Sequence, residues 1–333
     1  MTAITDRKRQ MMQEQLLQEY VEQIQKMLDS YIKVMSTAID ARTPYNANHT
    51  RNMVVYAQHF LQWMEEQHLP QAFDEKKTRE FIMSIWMHDI GKLITPIEIM
   101  DKQDRLADNY ECIVQRFAKI RLLARIDCLE GRISPEQLQE RLGQIVEAAG
   151  LVRTVNGITQ LTDELEQQVL QLAARTYTEE NGEICTWVTP EETEQLLIRT
   201  GTLTETERDV MRDHVEKTRI MLEQMTFGAD YSHVCLWASQ HHELLNGTGY
   251  PKGLCGDEIC MEVRLLTILD IFEAMTALDR PYKQPMPVEH ALELLHQMAD
   301  AGAVDAQLLD LFERSRAWET DEDSRKDKID EDR

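Results

Sequence analysis

The sequence predicts an all-α protein. Glycine and proline, which interrupt helices most often, number only 13 and 9 among 333 residues. Leu, Met, Gln, Glu and Ala, which favour or tolerate helices, dominate the composition. Several stretches also repeat apolar residues every three or four positions, the spacing that gathers them on one face of a helix.

The first element is a long N-terminal helix over residues 6–40. Its apolar residues keep heptad spacing, and they are Leu17, Tyr20, Ile24, Met27, Tyr31 and Val34. Such a stripe suits a coiled coil, in which residues 1–40 mediate dimerisation or signalling and the chain forms a homodimer. The same stripe suits packing on the helix's own domain, and the sequence leaves both alternatives open.

Two further helices lead to the first segment with chemical interest. One covers about residues 46–68, and the next begins near Glu75 and runs into the sequence WMHDIGK. Residues 107–200 then differ in character and predict a separate helical insertion. Within it the pattern predicts helices at 108–128, 135–149 and 160–175. It predicts turns at Asn156-Gly157 and Asn181-Gly182. The insertion lacks histidine, and it is either a lid or regulatory element or a plain structural addition.

The last third of the chain predicts three more helices and a tail. The first covers Leu203 to Met225 and starts with a capping box formed by Thr204 and Glu207. A second runs through 231–243, and a third over 262–278 follows the glycine-rich loop NGTGYPKGLCG. Most residues of 317–333 are charged, which predicts a solvated, disordered tail.

Composition excludes several classes of protein. The net charge of −23 argues against binding duplex nucleic acid, which depends on positive side chains that neutralise phosphates. No stretch approaches the roughly 18 apolar residues of a membrane span, and the N-terminus is too polar for a signal peptide. The six cysteines are scattered and predict free thiols. We therefore expect a cytoplasmic location.

Histidine and aspartate occur at places where a helical core normally excludes them. His88-Asp89 and His241-His242 follow apolar stretches, and Asp270 interrupts the apolar run LLTILDIF. A buried carboxylate needs a partner, since burying it unpaired costs several kcal/mol. With His49 and His214, these residues are the ingredients of a dinuclear metal centre with imidazole and carboxylate ligands.

These segments resemble the HD-GYP subgroup of the HD-domain metal-dependent phosphohydrolases. The matching blocks are HDIGK at 88–92, GTLTETERDVMRDHVEKT at 201–218, HHELLNGTGYPKGL at 241–254 and DIFEAMTALDRPYK at 270–283. The resemblance implies an HD-domain helical bundle formed by 41–106 and 201–316, interrupted by the inserted helical module.

The resemblance also implies roles for individual residues. His49, His88, Asp89 and Asp270 would hold one metal, and Asp89 would bridge to a second metal held by His214, His241 and His242. Lys92 is similar to a family lysine that contacts the substrate phosphate or the bridging solvent. The residues similar to the family's other substrate-binding positions are Gly249, Tyr250, Pro251, Arg280 and Lys283.

Such proteins hydrolyse cyclic di-GMP to pGpG and, in some cases, on to GMP. Two divalent ions polarise the phosphodiester and lower the pKa of a bridging water, which yields a hydroxide nucleophile. A mixed histidine and carboxylate shell favours Mn or Fe over Mg. Two alternatives are a phosphohydrolase acting on another cyclic dinucleotide or nucleotide, and a catalytically silent sensor of the dinucleotide.

Three positions depart from the family pattern. Tyr45 stands where some members place a glutamate that holds a third metal, so we expect two metals. Asn246 replaces the usual acidic residue before the loop glycine, keeping an acceptor but losing a charge. The interval from Asp270 to Arg280 is one residue longer than in the commonest pattern, which weakens the assignment of Arg280 and Lys283.

Overall fold

The computed structural model describes residues 2–40, 48–228, 231–277 and 286–319. It confirms the all-α prediction, because the described residues are helical apart from connecting segments and one two-stranded sheet. The expectations for Tyr45, Arg280, Lys283 and most of the charged tail at 317–333 lie outside the described residues. No helix in these ranges is both long and apolar enough to cross a lipid bilayer.

The helices and strands follow one another in a simple order. They are α1 (Thr2–Asp40), α2 (His49–Glu66), α3 (Glu75–Met87), α4 (Ile97–Met100), α5 (Asn109–Leu129), α6 (Pro135–Gly157), α7 (Asp163–Ala173), β1 (Thr176–Thr178), β2 (Ile184–Thr186), α8 (Pro190–Leu196), α9 (Glu205–Arg212), α10 (His214–Glu223), α11 (Val234–Ala238), α12 (Met261–Thr276), α13 (Val288–Asp300) and α14 (Ala306–Ser315). Short 3₁₀ helices occupy Ile90–Ile94 and Gly256–Glu258.

The chain divides into two compact units. The larger unit comprises Met1–Thr95 and Arg212–Arg333, and the smaller unit comprises Pro96–Met211. The smaller unit contains the segment 107–200 together with residues on either side of it. Its role as a lid or regulatory element stays a prediction.

Helix α12 forms the centre of the larger unit. Most of its residues are buried, and it packs against α2, α11, α13 and α14. Phe272 meets Phe312 of α14 edge to face, with 5.2 Å between the ring centroids. Asp270 and Glu273 are buried on this apolar helix and, being three residues apart, share one face. The core therefore fixes the position of two carboxylates.

Helix α1 buries one narrow face and exposes the heptad stripe. Ile32, Ser36 and Ile39 are buried, and the helix packs against α2 and α3. The six heptad residues lie at other positions, with exposed fractions between 53% at Ile24 and 67% at Val34. Pairing with a second copy stays a prediction, and the stripe is open to such a partner.

The smaller unit has its own apolar core, which includes Phe117, Val155 and Leu196. Its helices begin at well-formed caps. Ser134 and Thr189 each form a capping box with the residue three positions on, and proline follows each cap. Strands β1 and β2 pair antiparallel, with Tyr177 opposite Cys185. The predicted capping box of Thr204 and Glu207 is confirmed, since each accepts from the other's backbone N–H.

Three details of the secondary-structure prediction were wrong. The turn expected at Asn156-Gly157 is instead the last turn of α6, because the helix continues to bury Val152 and Val155. The single helix expected over 203–225 breaks into α9 and α10 where the His214 carbonyl lies against Gly91. The helix expected through 231–243 is α-helical only over Val234–Ala238, and turns carry the chain on to the histidine pair.

Candidate metal centre

The seven residues expected to bind metal all come from the larger unit, mostly from helix ends. His49 and His214 are the first residues of α2 and α10, and His88-Asp89 directly follows α3. His241-His242 lies in the turns after α11, whereas Asp270 lies within α12. All are buried except His242, which is partly exposed. Five separate chain segments thus converge at one place.

The ligand atoms form two separate groups of three, and a third group links them through His88, Asp89 and His241. His49, His88 and Asp270 have ligand atoms within 4.8 Å of one another, and so do His214, His241 and His242. Such spacing matches atoms that share one cation, and the donor set of imidazoles and carboxylate suits a transition metal.

Asp89 lies between the two groups and presents one oxygen to each. Its Oδ2 is 3.2 Å from Nε2 of His88, and its Oδ1 is 3.3 Å from Nε2 of His214. The same Oδ1 is 3.9 Å from Nε2 of His241. The carboxylate therefore faces both groups, with one oxygen toward each.

Backbone hydrogen bonds fix the tautomers of two imidazoles. Nδ1 of His88 lies 2.7 Å from the carbonyl oxygen of Ile85, and Nδ1 of His241 lies 2.8 Å from that of Ala238. Because a carbonyl oxygen can only accept, each Nδ1 carries a proton, and in the neutral ring each Nε2 presents its lone pair. A donor fixed in this way is typical of histidines that bind metal through the other nitrogen.

These lone pairs provide a test of whether a metal fits. Both imidazoles are fully buried, and within the described ranges neither Nε2 has a hydrogen-bond partner. A buried polar atom left unsatisfied costs roughly 1–3 kcal/mol. A divalent cation would remove that cost, so the residues present fit a metal centre.

His49 is oriented by a carboxylate that the sequence analysis missed. Its Nδ1 contacts Oε2 of Glu273, and its Nε2 lies 3.2 Å from Oδ1 of Asp270. Asn52 in turn donates to Oε1 of Glu273 at 2.9 Å. Burial alone lowers the pKa of His49, but the two carboxylates outweigh it and raise the pKa to about 10. Glu273 thus contacts the ring nitrogen of His49 that faces away from Asp270, and it fixes the orientation of the ring.

The electrostatic surroundings also set the charge of two carboxyls and two imidazoles among the other candidate ligands. Burial opposes ionisation of Asp89 and Asp270, but neighbouring groups hold the pKa of both carboxyls below their usual range. For Asp89 these groups are Lys92 and two histidines, and for Asp270 they are histidines, His49 first among them. Burial lowers the pKa of His241, and it lowers that of His242 to about 4. The carboxylates are therefore charged and this imidazole pair is neutral at pH 7, the states that bind cations.

The turn that carries His88 and Asp89 is tied to α10. The Thr218 hydroxyl donates to the His88 carbonyl at 3.0 Å and accepts from the Gly91 N–H at 3.0 Å. A Cβ at Gly91 would lie 1.9 Å from the His214 carbonyl oxygen, so only glycine allows this approach. Gly91 and Thr218 together set the separation between His214 and Asp89.

The loop Gly249, Tyr250 and Pro251 lies beside the centre. A Cβ at Gly249 would lie 2.3 Å from the Leu244 nitrogen, which explains the glycine. The Tyr250 ring lies over that of His242, with 4.7 Å between centroids, and its N–H donates to the His242 carbonyl.

Two polar side chains hold the shape of this loop. The buried Glu243 carboxylate accepts from the N–H groups of Lys252 and Leu254 at 2.7 and 2.8 Å. Asn246 Oδ1 accepts from the Thr248 N–H at 3.1 Å and from the Thr248 hydroxyl at 2.6 Å. The asparagine therefore keeps the loop-shaping contact through its acceptor despite the missing charge.

Lys92 is the one described basic residue of the expected substrate-binding set. Its Nζ lies 2.6 Å from Oδ2 of Asp89. The other two basic residues of that set, Arg280 and Lys283, lie outside the described residues. Glu273 and Glu243 were missed at the sequence level, although a signal existed: each is a carboxylate in the apolar segment that carries a candidate ligand.

The fold and this site define an all-α protein with a buried cluster of histidines and aspartates. The chain belongs to the HD domain family, since the model of that family matches residues 134–308. The matched stretch includes His214, His241, His242 and Asp270.

Curated relatives resemble parts of the chain. The 3'3'-cGAMP-specific phosphodiesterase 1 of Vibrio cholerae serotype O1 is 38% identical over 122 residues, which are 37% of this chain and 27% of that protein. The cyclic di-GMP phosphodiesterase response regulator RpfG of Xanthomonas campestris pv. campestris is 32% identical over 176 residues, which are 51% of this chain and 41% of that protein. The chain thus spans less than half the length of these relatives.

A solved structure, the HDG"Y"P protein Bd1817 from Bdellovibrio bacteriovorus, aligns over 75% of this chain and 76% of that chain. Its TM-score is 0.26 and its sequence identity is 15%, and a likeness of this size supports no conclusion.

Proposed function

We propose that this chain is a metal-dependent phosphodiesterase that hydrolyses cyclic di-GMP to pGpG, GMP or both. The observation that carries the proposal is the position of Asp89 between two groups of three ligands. An arrangement of this kind suits two cations that act on one phosphodiester.

The residues divide between the two cations. His49, His88 and Asp270 would hold one, and His214, His241 and His242 the other, with Asp89 shared. Two divalent ions held by these residues would supply polarisation of the phosphodiester and activation of a water. The mixed imidazole and carboxylate donors favour Mn or Fe over Mg or Zn as the cofactor.

The remaining side chains position the ligands and the substrate. Lys92 lies against Asp89, where its ammonium can meet a phosphate oxygen as the substrate arrives. Glu273 holds the ring of His49, and Glu243 holds the loop that carries Tyr250. Arg280 and Lys283 are proposed to bind phosphate on the strength of the sequence resemblance alone.

The substrate class is supported by the names of the relatives. One acts on cyclic di-GMP and another is specific for 3'3'-cGAMP. The second name makes 3'3'-cGAMP the alternative substrate for this chain. The seven candidate ligands speak against a silent sensor, because a binding module has no need of a complete ligand set.

Substitution of one ligand tests the proposal. The full chain loaded with Mn²⁺ or, under nitrogen, Fe²⁺ is assayed on cyclic di-GMP, 3'3'-cGAMP and cyclic di-AMP, with products separated by chromatography. We expect His88→Ala to lose bound metal and nearly all turnover. His290→Ala, which removes an exposed histidine of α13, is the matched control and should behave like the unmodified chain. Unchanged metal content and turnover in His88→Ala would refute the proposal.

A further inference from the structure

A cavity of about 460 Å³ adjoins the candidate metal centre. Its wall includes His242, one of the candidate ligands, and Tyr250 of the loop beside it. The volume falls within the range of roughly 300–1,000 Å³ typical of small-molecule sites. A group attached to a phosphate at the metal centre would therefore extend into this space.

The lining of the cavity combines apolar and polar side chains. Leu244, Ile271 and Met298 supply apolar surface, and Arg212 supplies a guanidinium. Arg212 is the last residue of α9 and is exposed to solvent. Arg212 and Tyr250 both line this cavity, so the guanidinium and the phenol ring belong to the same wall.

This combination suits a flat heterocycle. The rings of Tyr250 and His242 are inclined by 33° and offer aromatic surface for stacking, and the aliphatic lining residues add apolar surface. A purine base has the required shape and is the group that follows the phosphate and sugar in a nucleotide.

A guanidinium at the rim distinguishes the two purines. Guanine presents two adjacent acceptors, O6 and N7, which match the forked donors of arginine. Adenine presents an acceptor and a donor at the same edge, so one arginine N–H would face another donor. A lysine offers the same charge but lacks the planar fork.

We propose that this cavity receives one base of the cyclic dinucleotide and that Arg212 selects guanine over adenine there. The inference rests on the proposed phosphodiesterase function and names a specificity residue for it. The other reading of Arg212 is that it ends α9 by complementing the helix dipole, as basic residues in a last turn commonly do.

Three variants separate these readings, with kcat and KM measured on metal-loaded full chain for cyclic di-GMP, 3'3'-cGAMP and cyclic di-AMP. We expect the unmodified chain to prefer guanine substrates. Arg212→Gln should lower kcat/KM for cyclic di-GMP about tenfold, largely through KM, and change cyclic di-AMP less than twofold. Arg212→Lys should lose the same discrimination, because charge without the fork does not read guanine.

Arg208→Gln is the matched control, since Arg208 is another arginine of α9 and does not line the cavity. It should leave the ratio between substrates unchanged. An equal fall for all substrates in Arg212→Gln, with rescue by lysine, would show a phosphate contact and overturn the base-selection role. An unchanged ratio in both Arg212 variants would overturn it as well. If the unmodified chain hydrolyses none of the three, the proposed function itself fails, and a melting temperature reports any folding defect.

Discussion

Glu273 offers the sharpest test of how the site is built, because it binds no proposed metal yet controls a ligand that does. Its buried carboxylate contacts Nδ1 of His49 and accepts a hydrogen bond from Asn52. Glu273→Gln keeps the size of the side chain and removes its charge. The amide can still accept from one neighbour, but it no longer stabilises the donor at Nδ1 as a carboxylate does.

The expected effect follows from the kind of contact that is lost. Carboxylates that orient metal-binding histidines typically contribute about 10–100-fold in metal affinity or activity, which is roughly 1.4–2.7 kcal/mol. We place Glu273→Gln in that range, because both partners are buried and solvent screens their interaction little. The group of three that contains His49 should weaken, while the group that contains His214 should keep its affinity.

The assay is a metal titration by competition with a coloured chelator, followed by turnover at saturating metal. Glu262→Gln is the control, since Glu262 is another buried carboxylate of α12 but pairs with Lys77 instead of a ligand. We expect the control to lose some thermal stability and no metal affinity. Metal binding by Glu273→Gln that equals the unmodified chain would refute the reasoning.

Three further changes test the packing around the site and the N-terminal helix. Gly249→Ala forces a Cβ to within 2.3 Å of the Leu244 nitrogen, so the free energy of unfolding in urea should fall by about 1–3 kcal/mol. Gly143→Ala is the control, because nothing lies within 4 Å of the added Cβ, and its free energy of unfolding should stay unchanged or rise by up to about 1 kcal/mol. Equal effects of the two substitutions would contradict this account. Thr218→Val removes both hydrogen bonds to the His88 turn and should cost about 1–3 kcal/mol in the same assay, with the reasoning rejected by a loss below about 0.5 kcal/mol. Ile24→Asp places a charge on the exposed heptad stripe and should shift the chain from dimer to monomer in sedimentation, and a monomeric unmodified chain would disprove the dimer.

From periodicity and residue type, the residues of the candidate site were easier to predict than the local backbone structure. His88, His241 and Asp270 stood out because polar residues in apolar helical stretches need a physical reason. The carboxylates of Glu273 and Glu243 carried the same signal, but their partners are His49 and the loop backbone, which only tertiary structure brings near.

The break between α9 and α10 could not be read from local pattern. It depends on the approach of His214 to Gly91, a contact across more than 120 residues of sequence. The helix expected beyond Ala238 likewise gives way to turns in which His241 bonds the Ala238 carbonyl. Helix propensity depends only on residues that are close in sequence, and tertiary contacts of this kind can override it.

The most direct test of the central claim is the metal content of protein purified without oxygen, measured with turnover of cyclic di-GMP on the same sample. The account predicts two transition-metal ions per chain, and loss of both ions and of turnover in Asp89→Ala, because Asp89 lies between the two groups of ligands. Full activity with one ion per chain, or with none, would contradict it.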